Sequence, residues 1–177
     1  MQHANAFTGH DQPCNQRTLV IGLGNPLLKD DGAGIYAVRR LRLALERMTW
    51  VTLVELSVGG ITLMEHMVGY QRVILVDTLW VPPEQAGQVI VFDAGDLSET
   101  LNTRSTHDVD LPTALRVGRS LGAQLPADID IRIIAITANK VLDFGEEPSP
   151  VVAAAIPAAC DCVLQLLQVN PVSSDQA

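Results

Sequence analysis

LVIGLGNPLLKDDGAG, residues 19–34, is the stretch whose reading decides the fold of this chain. Leu19, Val20 and Ile21, with Leu23 beyond a glycine, read as a short buried strand. Gly22 and Gly24 permit a tight turn where side chains would clash. Asn25, Pro26 and the acidic pair Asp30 and Asp31 then precede a helical apolar spacing at Ile35, Val38, Leu41 and Leu45. Strand, glycine turn and helix in that order open an α/β unit, where ligands lie in the crevice beyond the carboxyl ends of the strands. One aspartate suffices as a helix N-cap and partner of the helix dipole. The second is left over for chemistry.

Further strands are expected at 51–56, 72–76, 88–92 and 129–136, after the first at 18–22. Helices are expected at 33–48, 61–68, 111–121 and 149–168, with Ser149 as N-cap and Pro150 at the first helical position. Pro157 falls inside the last of these and should kink it or delay its start. Strands alternating with helices imply an α/β fold, a three-layer α/β/α sandwich. Its sheet should be mostly parallel and roughly five-stranded, with helices on both faces and one antiparallel edge. The expectation is a single domain over 18–168, with flexible tails at 1–17 and 169–177. Residues 93–110 have no strong period and read as a long loop, a place where function concentrates.

Composition narrows the chemistry. The chain of 177 residues is 47% hydrophobic but only 4% aromatic, which suits a Val, Ile, Leu and Ala core between sheet and helices. Its net charge of -8 argues against nucleic acid as a partner, since phosphates demand a basic face. No apolar run approaches the roughly 20 residues that span a bilayer, so no membrane association is expected. The polar N-terminus lacks the apolar core of a signal peptide. Cys14, Cys160 and Cys162 form no disulfide framework, and the last two diverge on a helix as small core fillers. A cytoplasmic monomer is expected.

Three places offer acid/base or metal-binding side chains at strand ends. Asp31 follows the first strand, Asp77 ends the apolar run RVILVD, and His107 sits where the long loop enters the helix at 111. A carboxylate at the end of a buried strand needs a cation or a hydrogen-bonded cap. Two carboxylates and one imidazole suit nickel, zinc or iron better than calcium or magnesium. Each also has a plainer reading: Asp77 as a loop cap, His107 as a surface histidine, Asp108 and Asp110 as caps of the following helix. His66 reads as part of an amphipathic helix surface. No Ser-His-Asp or Cys-His arrangement is evident, so a nucleophile at these residues would be a water activated by a metal or a carboxylate.

The opening resembles that of the hydrogenase maturation proteases, endopeptidases (often classed as aspartic-type) that trim nickel-hydrogenase large subunits at the C-terminus. That family begins with a strand, Gly-x-Gly-Asn, an acidic pair and a glycine, at the spacing found here from Gly22 to Gly34. The resemblance implies metal recognition by Asp31, Asp77 and His107, the nickel belonging to the precursor rather than to the protease. It implies no organic cofactor and no permanently bound metal. Asp30 then takes a cap or loop-stabilising role. The segment VELSVGGITL departs from the family's acidic residue followed by Gly-Gly-Thr, with Ser57, Val58, Gly59 and Gly60 at the turn and Glu55 the nearest carboxylate.

Three rivals differ in class. GLGNP also resembles the opening of peptidyl-tRNA hydrolases, but their catalytic histidine has no counterpart in LLKDDGAG. A nucleotide-binding module would need its third glycine where Leu27 stands, and two aspartates at the helix start repel a pyrophosphate. A non-catalytic metal-sensing assembly factor would use the same acidic cleft and cut nothing.

Overall fold

The computed structural model describes residues 16–97, 111–139 and 143–167. TLVIGL forms β1 (Thr18–Leu23), buried along its whole length. There follow α1 (Ala33–Leu45), β2 (Val51–Leu56), α2 (Gly60–Met67), β3 (Arg72–Val81) and β4 (Val89–Asp93). The remaining described elements are α3 (Leu111–Ser120), β5 (Ile131–Asn139) and α4 (Pro150–Leu166). Among the described residues the strands form one five-stranded sheet in the order β2-β1-β3-β5-β4. All neighbours are parallel except β4, which runs antiparallel to β5 at the edge. The α/β fold and the antiparallel edge expected from the sequence are those observed.

Strand alternation sorts the core into two layers. Val20, Ile74, Val76, Ile134 and Ile136 face α1 and α4, where Leu41, Val152 and Ile156 meet them. Leu19, Ile21, Val73, Leu75 and Ile133 face α2 and α3, packing against Leu63, Met67 and Leu115. Cys160 belongs to the first layer, its thiol donating to the Ala37 carbonyl at 3.5 Å. Burial pushes that thiol up to about 11. Since the thiolate is the nucleophile, Cys160 should resist iodoacetamide at pH 8 in the native protein and react once guanidinium unfolds it. Peptide mapping would read this directly, and native-state labelling would contradict the packing.

Several boundaries differ from the sequence reading. β3 does not stop at Val76 but runs to Val81, because Thr78, Leu79, Trp80 and Val81 pair in register with Ile136 through Asn139. Thr78, Trp80 and Val81 are β-branched or aromatic and suit a continuing strand, and Trp80 is buried against the α1–α4 layer. Asp77 is therefore inside β3 rather than at its end. β5 begins at Ile131, since Ile129 lies exposed in a 3-10 turn over Asp128–Asp130. Likewise α1 ends at Leu45, short of Met48. Pro157 does not delay α4, which starts at Pro150 and carries Pro157 within it.

The start of α1 lies directly on the sheet. A Cβ added to Gly34 would stand 2.1 Å from the Val76 carbonyl oxygen and 2.5 Å from that of Leu23. Both obstacles are backbone, so no rotamer change relieves them. Gly34→Ala should lower the unfolding free energy by about 3 kcal/mol through overpacking, read as a lower denaturation midpoint at constant slope.

Candidate active site

The sheet order places a topological switch point between β1 and β3. The chain leaves β1 through α1 to β2 on one side, then crosses through α2 to β3 on the other. In such sheets the crevice beyond those strand ends receives the ligand. β1 pairs with β3 up to Gly22 opposite Val76 and ends one residue later. Asp77 is the next residue of β3, at the point where β1 gives out, and it pairs with Ala135 on its other side. The Asp77 side chain is 2% exposed and accepts a hydrogen bond from the Thr78 N–H at 2.7 Å. Alternation from Val73 and Leu75 puts it on the α2–α3 face of the sheet.

Asp31 reaches the same edge through the β1–α1 connection. Gly24, at φ +135°, turns the chain into a conformation that side chains disfavour. Its N–H donates to the Leu56 carbonyl (3.1 Å), and the Ser57 hydroxyl donates to its carbonyl (2.7 Å). Ser57 thus braces the glycine turn, a role no spacing in the sequence announces. Residues Lys29–Gly32 then form a single 3-10 turn. Asp31 is 2% exposed, and its Oδ2 accepts from the Asn25 N–H at 2.8 Å. The Thr78 hydroxyl donates to the Asp30 carbonyl at 2.8 Å, tying this turn to the residue after Asp77.

Neither aspartate caps α1, whose N-cap is Gly32 without a side-chain bond. Asp30 instead accepts a hydrogen bond from the Ser149 N–H at 2.6 Å, at the start of α4. Ser149 does hold the N-cap position, but its own side chain makes no cap bond.

His107, with Asp108 and Asp110, lies outside the described residues. α3 begins at Leu111, which is buried in the α2–α3 layer. Among the described residues no group of three His, Cys, Asp or Glu is arranged to hold a metal ion. Glu55 is turned to the α1 side, where it pairs with Arg39 at 3.0 Å and Arg42 at 2.6 Å. Burial raises its carboxyl, but the two guanidiniums outweigh that and hold it below the ordinary 4.5. A lowered folded value means that the stabilisation is present above the unfolded value and is lost as pH falls through the folded one. Glu55→Gln should therefore cost under about 1 kcal/mol at pH 7, since both arginines are half exposed. Parallel urea titrations of the two proteins should converge in acid. His66 is exposed on α2, and no described helix is long and apolar enough to cross a membrane.

Comparison with known proteins agrees with this architecture. The family model described as hydrogenase maturation protease, HycI, matches residues 35–166. It starts at Ile35, past the stretch that opens the chain, and so does not rest on it. The solved structure of the [NiFe] hydrogenase maturation protease HybD from Thermococcus kodakarensis is 29% identical, with a TM-score of 0.68 over 85% of this chain and 99% of that one. A hydrogenase 2 maturation peptidase from Thaumarchaeota archaeon SCGC_AB-539-E09 is also 29% identical. Its TM-score is 0.58, over 88% of this chain and all of that one. The hydrogenase maturating endopeptidase HybD from E. coli, 24% identical, shares the fold with a TM-score of 0.68 over 86% and 92%. No curated protein matches the chain in sequence. A family match running from the first helix to the last, on this sheet order, settles the affiliation: the chain is an endopeptidase that belongs to the hydrogenase maturation protease family.

Proposed function

We propose that this endopeptidase removes a C-terminal peptide from the precursor of a nickel-iron hydrogenase large subunit after nickel has been inserted. The nickel is carried by the substrate, and Asp31, Asp77 and His107 recognise it. The protease works in the cytoplasm as a monomer, with no organic cofactor and no resident metal of its own. The observation that carries this reading is the burial of two carboxylates, Asp31 and Asp77, at the β1/β3 switch point. Each accepts a hydrogen bond from a backbone N–H, Asp31 from Asn25 and Asp77 from Thr78, and carboxylate oxygens set at that crevice are donors that suit a divalent ion carried by an incoming substrate. The entry of α3 at Leu111 on the face of Asp77 supports the same arrangement, because His107 precedes it by four residues.

In this reading a water, activated by the substrate's metal or by a carboxylate, adds to the scissile carbonyl carbon. The C–N bond then breaks, and the released amine takes up a proton. Co-expression of a candidate large subunit with and without this protein tests the proposal. With nickel supplied and the protease present, mass spectrometry should show loss of a short C-terminal peptide. With nickel withheld or the protease omitted, the precursor should keep its full length. Nickel-independent trimming would overturn the recognition step, and absence of trimming across candidate subunits would overturn the assignment of substrate.

A further inference from the structure

One residue beside the crevice that this chemistry leaves unused, Asp30, is tied to two distant parts of the chain. Asp30 is 7% exposed. Its backbone carbonyl receives the Thr78 hydroxyl, and its Oδ1 receives the Ser149 N–H from 119 residues away. One residue thus joins the β1–α1 turn, the segment of β3 next to Asp77 and the first turn of α4. A carboxylate at a helix N-terminus is favoured by the helix dipole, and its bond to a backbone N–H is charge-assisted.

The surrounding contacts run the same way. Lys29 donates its N–H to the Gly145 carbonyl at 2.8 Å, and Gly145 donates to the Leu27 carbonyl at 3.0 Å, an isolated parallel bridge centred on Leu28. The Lys29 ammonium pairs with Asp143 at 3.2 Å. The Tyr36 hydroxyl sits between the carbonyls of Pro26 (2.7 Å) and Glu146 (2.5 Å). Lys29 itself holds φ +44°, a left-handed conformation costly for a non-glycine residue unless its surroundings impose it. A 3-10 turn of four residues has little stability of its own. Its shape comes from outside.

We propose that Asp30 is a positioning residue: through Ser149 it fixes the Lys29–Gly32 turn against α4, and so sets where the neighbouring Asp31 stands relative to Asp77. The segment 143–149 is then a working part of the site although it bears none of the proposed ligands. The inference rests on the role given to Asp31 above. Small displacements of a reacting constellation are expensive, with about 1 Å costing up to about 100-fold in rate.

The bond can be broken from either end. Asp30→Ala removes the acceptor. Ser149→Pro removes the donor and leaves Asp30 in place, and the φ of -57° and ψ of 153° at Ser149 suit proline. Asp30→Asn retains an acceptor oxygen. At a temperature where circular dichroism shows all variants folded, Asp30→Ala and Ser149→Pro should each lower kcat for cleavage of nickel-loaded precursor by about 10- to 100-fold. KM should stay within about threefold, and Asp30→Asn should keep most of the rate. The double variant should be no slower than the worse single one, because both delete the same interaction. Hydrogen–deuterium exchange should quicken at amides 25–32 in Asp30→Ala and Ser149→Pro but not in Asp30→Asn. Wild-type kcat in folded Ser149→Pro, or unchanged exchange at 25–32, overturns the proposal, and Ser149→Pro carries the test alone should Asp30→Ala not fold. If Asp31→Asn cleaves at the wild-type rate the reading of the site fails instead, while the exchange experiment still decides whether Asp30 holds the turn.

Discussion

Asp31→Asn should abolish removal of the C-terminal peptide, with at least about a thousandfold loss of rate expected, and should leave the protein folded. The substitution keeps the shape of the side chain and an oxygen able to accept the Asn25 N–H, but it deletes the negative charge. A charge that faces a divalent ion in a water-poor crevice contributes several kcal/mol to the reacting state, and each 1.36 kcal/mol is tenfold in rate. The fold should tolerate the change to within about 1–2 kcal/mol, because the hydrogen bond from the Asn25 N–H survives. Asp77→Asn is expected to act in the same direction. Intact-mass analysis of the precursor, beside thermal melts of each variant, reads both halves of the expectation. Wild-type processing by Asp31→Asn, or greater damage from Asp30→Asn, would displace Asp31 from the site.

What the sequence made legible was local or periodic. The alternation of Leu19, Val20 and Ile21, the helical spacing from Ile35 to Leu45 and the Ser149–Pro150 start each declare an element within a few residues. Their order alone gives a parallel sheet. What it concealed depends on partners distant in the chain. Asp77 reads as a strand terminator because a carboxylate usually ends an apolar run, yet pairing with β5 carries β3 on to Val81. Asp30 looks like a cap for the helix just ahead, but its partner is Ser149, and no local pattern encodes a contact across 119 positions. Glu55 was the nearest carboxylate to the departing second motif, and only the packing of α1 shows it committed to Arg39 and Arg42. The family affiliation sets aside the peptidyl-tRNA hydrolase-like and nucleotide-binding readings of Gly-x-Gly-Asn. It also sets aside the non-catalytic one.

The second large effect is expected at Gly24, where fold and site share one residue. A Cβ there would lie 1.8 Å from the carbonyl oxygen of Asp31 and 2.9 Å from its carbonyl carbon. The backbone stands at φ +135°, which L-residues rarely adopt. Alanine therefore meets strain and collision together, and the obstacle is the backbone of the residue proposed to recognise the substrate's nickel. Two escapes exist. Either the turn lifts from the end of β1 and loses the Leu56 and Ser57 hydrogen bonds, or the Lys29–Gly32 turn shifts and carries Asp31 away from Asp77. Both cost stability, about 3 kcal/mol or more by analogy with backbone strain and overpacking. For a chain of this size that corresponds to a fall in Tm of about 6–12 °C. Both also move Asp31, so processing should drop by about 100-fold at temperatures where the variant remains folded. Gly34→Ala provides the comparison, since its added methyl presses on Val76 and Leu23 rather than on Asp31. At similar loss of stability it should retain more activity. Equal activity in the two variants would separate the glycine turn from the placement of Asp31, and a Gly24→Ala protein melting within about 2 °C of wild type would rule out the turn conformation itself.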